Sequence, residues 1–182
     1  MISPAEHLHL PRVRARLAVA LLLVLGLALG DVSDAGAGER FAARVETVAD
    51  GDSLTVRADD GRRHRIRLLG IDAPEAGQDH ADQSREQLRQ LLGRQLIEIE
   101  PLKTDPFGRL VARVRLEGED VSLWMVRQGH AWHFTRYESE QTVSERLRYR
   151  LAQSRAQSQR LGLWQADDPV APWDYRAAAR RR

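Results

Sequence analysis

The chain of 182 residues contains no cysteine. That excludes a disulfide framework, a thiolate zinc site and a thiol nucleophile. Lysine is nearly absent as well: Lys103 is the single one, so 27 of the 28 basic residues are arginine. Aromatic residues make up 5% of the chain, and no apolar run reaches the ~20 residues needed to span a bilayer. The net charge is only +2, so bulk charge says little about partners. Clusters say more. "RRHRIR" (Arg62 to Arg67) and the terminal "RAAARRR" concentrate positive charge; they read first as solvated surface and second as phosphate-binding patches.

What is present divides the chain into three parts. "PRVRAR" supplies Arg12, Arg14 and Arg16 ahead of thirteen mostly apolar residues, Leu17 to Leu29, and small residues follow in "DAGAGER". Basic, apolar and small-residue regions in that order describe a cleaved signal peptide, or an uncleaved membrane anchor. The expected location is therefore secreted or periplasmic, with attachment to the inner membrane only if the segment is kept. Residues 1–38 form this segment and its linker, 39–165 one globular domain, and 166–182 a tail rich in Pro and Arg. Pro169 and Pro172 are expected to stop regular structure and leave the tail mobile.

Within the domain, periodicity predicts strands at Phe41–Val48 and Ser53–Asp59, with a "DDG" turn leading into a third strand, Arg62–Ile71. "DQSREQLRQLLG" places Leu88, Leu91 and Leu92 at helical spacing, with Gly93 as the stop. "QLIEIEPLK" and "RLVARVRLEG" give two more alternating strands. A short helix in "EDVSLWMVRQG" and a longer one closed by Gly162 follow, the latter opened by a capping box from Thr142 to Glu145. The order β-β-β-α-β-β-α-α suits an α+β fold built on a five-stranded oligonucleotide-binding (OB-fold) barrel. A generic α+β sandwich fits the same pattern.

Three short blocks concentrate chemistry at strand ends, where a rigid scaffold presents side chains. "VADGDSLTV" carries Asp50, Gly51 and Asp52. By itself it is an ordinary turn, and it is not an EF-hand, whose twelfth position would be Gly61. "RIRLLGIDAPEAG" runs from an apolar strand into Asp72 and Glu75, with Arg67 upstream and Pro74 stiffening the corner. Burying such carboxylates is costly unless they are paired or bind a cation. "TDPFGRLVARV" sets Arg109 directly after an Asp-Pro-Phe-Gly turn. Each block alone could be a surface turn with an ion pair. Together they offer hard oxygens suited to Ca²⁺ or Mg²⁺, a further carboxylate, and guanidinium forks suited to phosphate.

In order and spacing, "DGDS", "RLLGIDAPE" and "DPFGR" resemble the staphylococcal nuclease (thermonuclease-like) family, over roughly Phe41 to Trp164. The resemblance implies a five-stranded OB-fold barrel with three helices, cleavage of DNA and RNA, and Ca²⁺ as cofactor. It implies that Asp52, Asp72 and the backbone carbonyl of Ala73 hold the cation and that Glu75 orients or deprotonates the attacking water. Arg67 and Arg109 would grip the scissile phosphate, and the products would carry 3′-phosphate and 5′-hydroxyl ends. Departures fall on substrate gripping. Pro106 and Phe107 replace a Lys and a Tyr of the best-known member; Thr135 replaces another Tyr, while Tyr137 matches a second. Phe107, Thr135 and Tyr137 are thus the expected substrate contacts. A non-catalytic nucleic-acid-binding barrel is the alternative, opposed by the presence of all five of Asp52, Arg67, Asp72, Glu75 and Arg109. DNA and RNA are the expected partners, a membrane only if the N-terminal segment is uncleaved, and a monomer is the default.

Overall fold

Alternating side chains build the strands. In a computed structural model that describes residues 38–181, β1 (Phe41–Val48) turns Ala43 and Val45 inward. β2 (Ser53–Ala58) does the same with Leu54 and Val56, and β3 (Arg63–Leu68) with Ile66 and Leu68; all six are buried. Each fully buried Leu, Ile or Val of this kind contributes about 1.5–3 kcal/mol.

The third strand was expected to continue to Ile71, but its pleat ends at Leu68. Gly70 adopts φ +77°, a left-handed conformation that a side chain resists, and a Cβ there would meet Gln141 Nε2 at 2.4 Å. Turned by Gly70, β4 (Ile71–Asp72) leaves the barrel and later pairs antiparallel with β8 (Trp132–His133).

The chain re-enters the sheet as β5 (Leu96–Thr104) and β6 (Leu110–Leu116), which bury Ile97, Ile99, Ala112 and Val114. The strand order is β3-β2-β1-β5-β6, and a parallel pairing of β3 with β6 closes the sheet into a five-stranded barrel. The generic sandwich is thereby set aside. A two-residue β7 (Glu119–Asp120) extends β6.

The three expected helices pack on this barrel. α1 (Ala81–Leu92) buries Leu88 and Leu92 and stops at Gly93. α2 (Val121–Arg127) starts at Asp120, whose carboxylate accepts the Leu123 N–H. α3 (Val143–Ser158) opens with the predicted capping box: Glu145 N–H donates to Thr142 Oγ1, and Thr142 N–H to Glu145 Oε2. α3 ends at Ser158, short of Gly162, which begins a 3-10 turn (Gly162–Gln165).

The tail corrects the sequence reading. Pro172 begins a fourth helix, α4 (Pro172–Ala179), where proline's missing N–H costs nothing because first-turn N–H groups have no intrahelical partner. The ring of Trp173 packs against Trp132 and Phe134, at centroid distances of 5.6 and 5.4 Å. Among the described residues no helix is long and apolar enough to cross a membrane; the expected signal or anchor segment lies outside them, apart from Gly38.

Candidate active site

Strand pairing brings the three sequence blocks to one rim of the barrel. Ser53, the first residue of β2, lies opposite Arg67 near the end of β3, and Arg67 lies opposite Val111 near the start of β6. The turn before β2, the corner after β3 and the turn before β6 therefore converge.

The first block is fixed by its own backbone. Asp50 Oδ1 accepts the Asp52 N–H at 3.0 Å, so Asp50 braces the loop. Burial pushes the Asp50 carboxyl pKa up, opposed by the nearby Arg67 charge and by Ser53. Gly51 has no room for a side chain: a Cβ would lie 1.8 Å from Ser84 Oγ and 2.7 Å from Ala73 Cβ. The loop is thus pressed onto α1 and onto the corner that follows β4.

Asp52 and Asp72 are 5% and 1% exposed, and both face Arg67. Arg67 Nη1 pairs with Asp52 Oδ2, and Nη2 binds Asp72 Oδ1 at 2.8 Å. One guanidinium thus spans both carboxylates. Asp52 also accepts from Ser53 Oγ (3.0 Å) and from the Ala73 N–H (2.7 Å). Strand parity would have kept Asp72 away from Arg67; the turn at Gly70 brings it back. Burial lowers the Arg67 pKa, the charge of Asp72 opposes this, and the like charge of Arg109 lowers it further.

Arg109 is aimed from the third block. Asp105 Oδ1 accepts the N–H groups of Phe107 and Arg109, both at 2.9 Å, and Oδ2 binds Arg109 Nε at 2.8 Å. Arg109 Nη1 then reaches Ser53 Oγ at 3.3 Å, which links it through Ser53 to Asp52. Two guanidiniums converge on one rim at a cost in repulsion that an incoming anion would relieve.

Glu75 sits on the corner beyond Pro74, its side chain 39% exposed. Its N–H donates to Gln78 Oε1 at 3.0 Å, and its carboxylate pairs with Arg176 of α4. Arg176 also grips Asp72, Nη2 to Oδ2 at 2.7 Å and Nη1 to Oδ1 at 3.2 Å. These bonds, led by that to Asp72, raise the Arg176 pKa. The sequence places Arg176 only in the basic cluster "RAAARRR" and not at the site, because Pro172 reads as a stop. Proline ahead of "WDYRAAA" is also a helix-start pattern, and it places Trp173 and Arg176 one turn apart.

The expected substrate contacts are exposed. Phe107 is 72% exposed, with the Arg109 guanidinium 5.6 Å from its ring centre. Tyr137 is half exposed beneath the Lys103 ammonium, and Thr135 is an exposed residue opening a 3-10 stretch, Thr135–Glu140. Trp132 packs edge-on against Trp164, with ring centres 4.3 Å apart. His133 Nε2 contacts Gln141 Oε1, and His130 stacks on His80. Burial, helped by the charge of His80, brings the His130 pKa down to about 4.

Among the described residues no three His, Cys, Asp or Glu side chains form a metal-holding group. What the site offers is two buried carboxylates close enough to share one guanidinium, next to the main chain of Ala73, whose N–H binds Asp52. That donor set fits a hard cation whose shell is completed by water and by a substrate phosphate.

Residues 65–166 match the family model described as staphylococcal nuclease homologue, which covers Arg67, Asp72, Ala73, Glu75 and Arg109 but not Asp52 or Arg176. The chain belongs to the staphylococcal nuclease homologue family. An uncharacterized endonuclease of Escherichia coli is 34% identical over 134 residues, 73% of this chain and 83% of the relative. One from Haemophilus influenzae is 30% identical over 156 residues, 86% and 84% of the two chains. A probable staphylococcal-like nuclease of Oryza sativa subsp. japonica is 32% identical over 115 residues, 63% of this chain but a third of the longer plant protein. Membership in the staphylococcal nuclease homologue family makes the chain a nuclease, a hydrolase of nucleic-acid phosphodiesters.

Proposed function

We propose that this nuclease depends on Ca²⁺ and cleaves both DNA and RNA, leaving 3′-phosphate and 5′-hydroxyl ends. The observation that carries the reading is the single guanidinium of Arg67 spanning the buried carboxylates of Asp52 and Asp72. Such a pair suits neutralisation by a divalent cation as well as by arginine.

Asp52 and Asp72, with the carbonyl of Ala73, would hold the ion. When bound, it would supply positive charge beside the scissile phosphate and favour ionisation of nearby water. The residues of the chain do the rest. Glu75, half-exposed on its corner, would accept a proton from the attacking water. Arg67 and Arg109 offer N–H donors to the phosphate oxygens and offset the charge that grows as the phosphorus becomes five-coordinate. Attack in line with the 5′ oxygen expels that oxygen as the hydroxyl product. Phe107 and Tyr137 give faces on which bases can stack, each worth about 1–3 kcal/mol, and Thr135 gives a hydroxyl for the backbone. The segment 1–38 is proposed to direct the chain beyond the inner membrane.

The test is cleavage of 5′-labelled DNA and RNA by the full chain, with Ca²⁺ and with chelator, followed by analysis of product ends. Asp52→Asn, Arg67→Ala and Arg109→Ala should each lower the rate at least ~10²-fold. Full activity in chelator would refute the cation role, and 5′-phosphate products would refute the direction of attack. Binding without cleavage in every divalent ion would point to the non-catalytic alternative.

A further inference from the structure

Arg176 enters the active site from beyond the segment that matches the family model, which ends at residue 166. Its helix is held down by contacts that do not involve the arginine. Trp173 packs on Trp132 and Phe134, Gln78 Nε2 donates to the Val170 carbonyl at 2.6 Å, and Ala171 and Pro172 are buried. α4 therefore presents Arg176 to the site as part of a docked element.

The contacts it makes there leave little of Asp72 for anything else. Oδ1 takes Arg67 Nη2 and Arg176 Nη1, Oδ2 takes Arg176 Nη2, and the residue is 1% exposed. A Ca²⁺ ion needs direct contact with carboxylate oxygen at ~2.3–2.6 Å. An N–H donor on the same lone pairs, carrying a positive charge, excludes that contact. Three of the four lone-pair positions of Asp72 are taken, so a cation on Oδ1 displaces an arginine and one on Oδ2 meets the charge of Arg176. Arg67 is fixed by pairing of β3 on both sides, binds Asp52 as well, and has a side chain 16% exposed. Arg176 comes from an eight-residue helix outside the barrel sheet, with its side chain 33% exposed. Arg176 is the contact that can yield.

We propose that Arg176 is a built-in competitor for the divalent cation. It occupies Asp72 and Glu75 when α4 is docked and sets the cation affinity of the site. By linkage, a cation that displaces Arg176 must weaken the docking of α4 by the same factor that Arg176 weakens cation binding. The proposal rests on the reading of Asp52 and Asp72 as cation ligands.

The test is calorimetric titration of Ca²⁺ into the full chain, its Arg176→Gln variant and its Trp173→Ala variant, at fixed ionic strength and without substrate. Trp173→Ala loosens α4 without touching either carboxylate. Both variants should bind Ca²⁺ about 10-fold more tightly than the unaltered chain, within the usual range of such couplings. In the unaltered chain Ca²⁺ should speed amide hydrogen exchange across residues 173–179; in Arg176→Gln that exchange should be insensitive to Ca²⁺. Equal or weaker Ca²⁺ binding by Arg176→Gln would overturn the competition while leaving the cation site standing. No binding heat in any of the three would overturn the cation reading itself, and the competition with it.

Discussion

The loop that carries Asp52 owes its position to an absent side chain, and Gly51→Ala measures how much. A Cβ at residue 51 would fall 1.8 Å from Ser84 Oγ, 2.9 Å from Ser84 Cβ and 2.7 Å from Ala73 Cβ. The hydroxyl could rotate away, but only by giving up its 2.7 Å hydrogen bond to the His130 carbonyl, worth about 1 kcal/mol. The two carbon contacts involve no rotatable end, so backbone must move, at about 1–3 kcal/mol. The sum is about 2–4 kcal/mol, a fall in thermal midpoint of about 5–15 °C. Ala73 and Asp52 flank the strained point, and a displacement near 1 Å at a catalytic constellation costs about 10²-fold in rate. The assay is thermal unfolding in parallel with plasmid cleavage. Ser84→Gly removes two of the three close contacts, so Gly51→Ala should cost at least ~1 kcal/mol less in the Ser84→Gly background. A Gly51→Ala chain that melts within 2 °C of the parent, an interval set by about 1 kcal/mol or less, and cleaves at its rate would refute the packing argument.

Glu145 joins α3 to the barrel by pairing with Arg113 at 2.7 Å while closing the capping box. Burial pushes its pKa up, but the bonds from Arg113 and Thr142 outweigh burial and bring it down to about 2. Against an ordinary value of 4.5, that shift corresponds to about 3 kcal/mol, cut to about 2 by water at the edge of the pair. Because the folded pKa lies below the unfolded one, this stability is present above pH ~4.5 and is lost as pH falls towards 2. Urea unfolding of Glu145→Gln should therefore show a deficit at pH 7 that shrinks progressively towards pH 2.5; a deficit independent of pH would disprove the linkage. Phe107→Ala should raise KM for single-stranded DNA about 5- to 100-fold with an unchanged melting temperature, since the ring is 72% exposed. An unchanged KM would remove Phe107 from the substrate path.

The barrel was legible because its strands obey a period of two that burial enforces: Ala43 with Val45, Leu54 with Val56 and Ile66 with Leu68 all face the same core. The half of the site made by Asp52, Arg67 and Asp72 was legible for a related reason. A chain that ends an apolar strand in carboxylates needs a compensating charge, and Asp52, Arg67 and Asp72 sit at or beside strand ends where short local motifs can be read. Two features escaped. The end of β3 at Leu68 depends on whether the chain follows the pleat or takes the left-handed turn at Gly70, and both continue the apolar pattern through Ile71. Arg176 depends on a contact with Asp72 between residues 104 apart in sequence, for which no local pattern exists.

The two features that escaped have a common consequence. The turn at Gly70 moves Asp72 out of the barrel sheet and into pairing with β8, next to the aromatic patch on which Trp173 docks. Had β3 run on straight, Asp72 would have remained in the barrel pleat, away from β8 and the docking patch beside it. The same bend that makes Asp72 a partner for Arg67 and Asp52 thus exposes its second oxygen to the C-terminal helix. The proposed cation site and the proposed competing arginine both depend on one turn, so a change that straightens the corner at Gly70 must disturb both together.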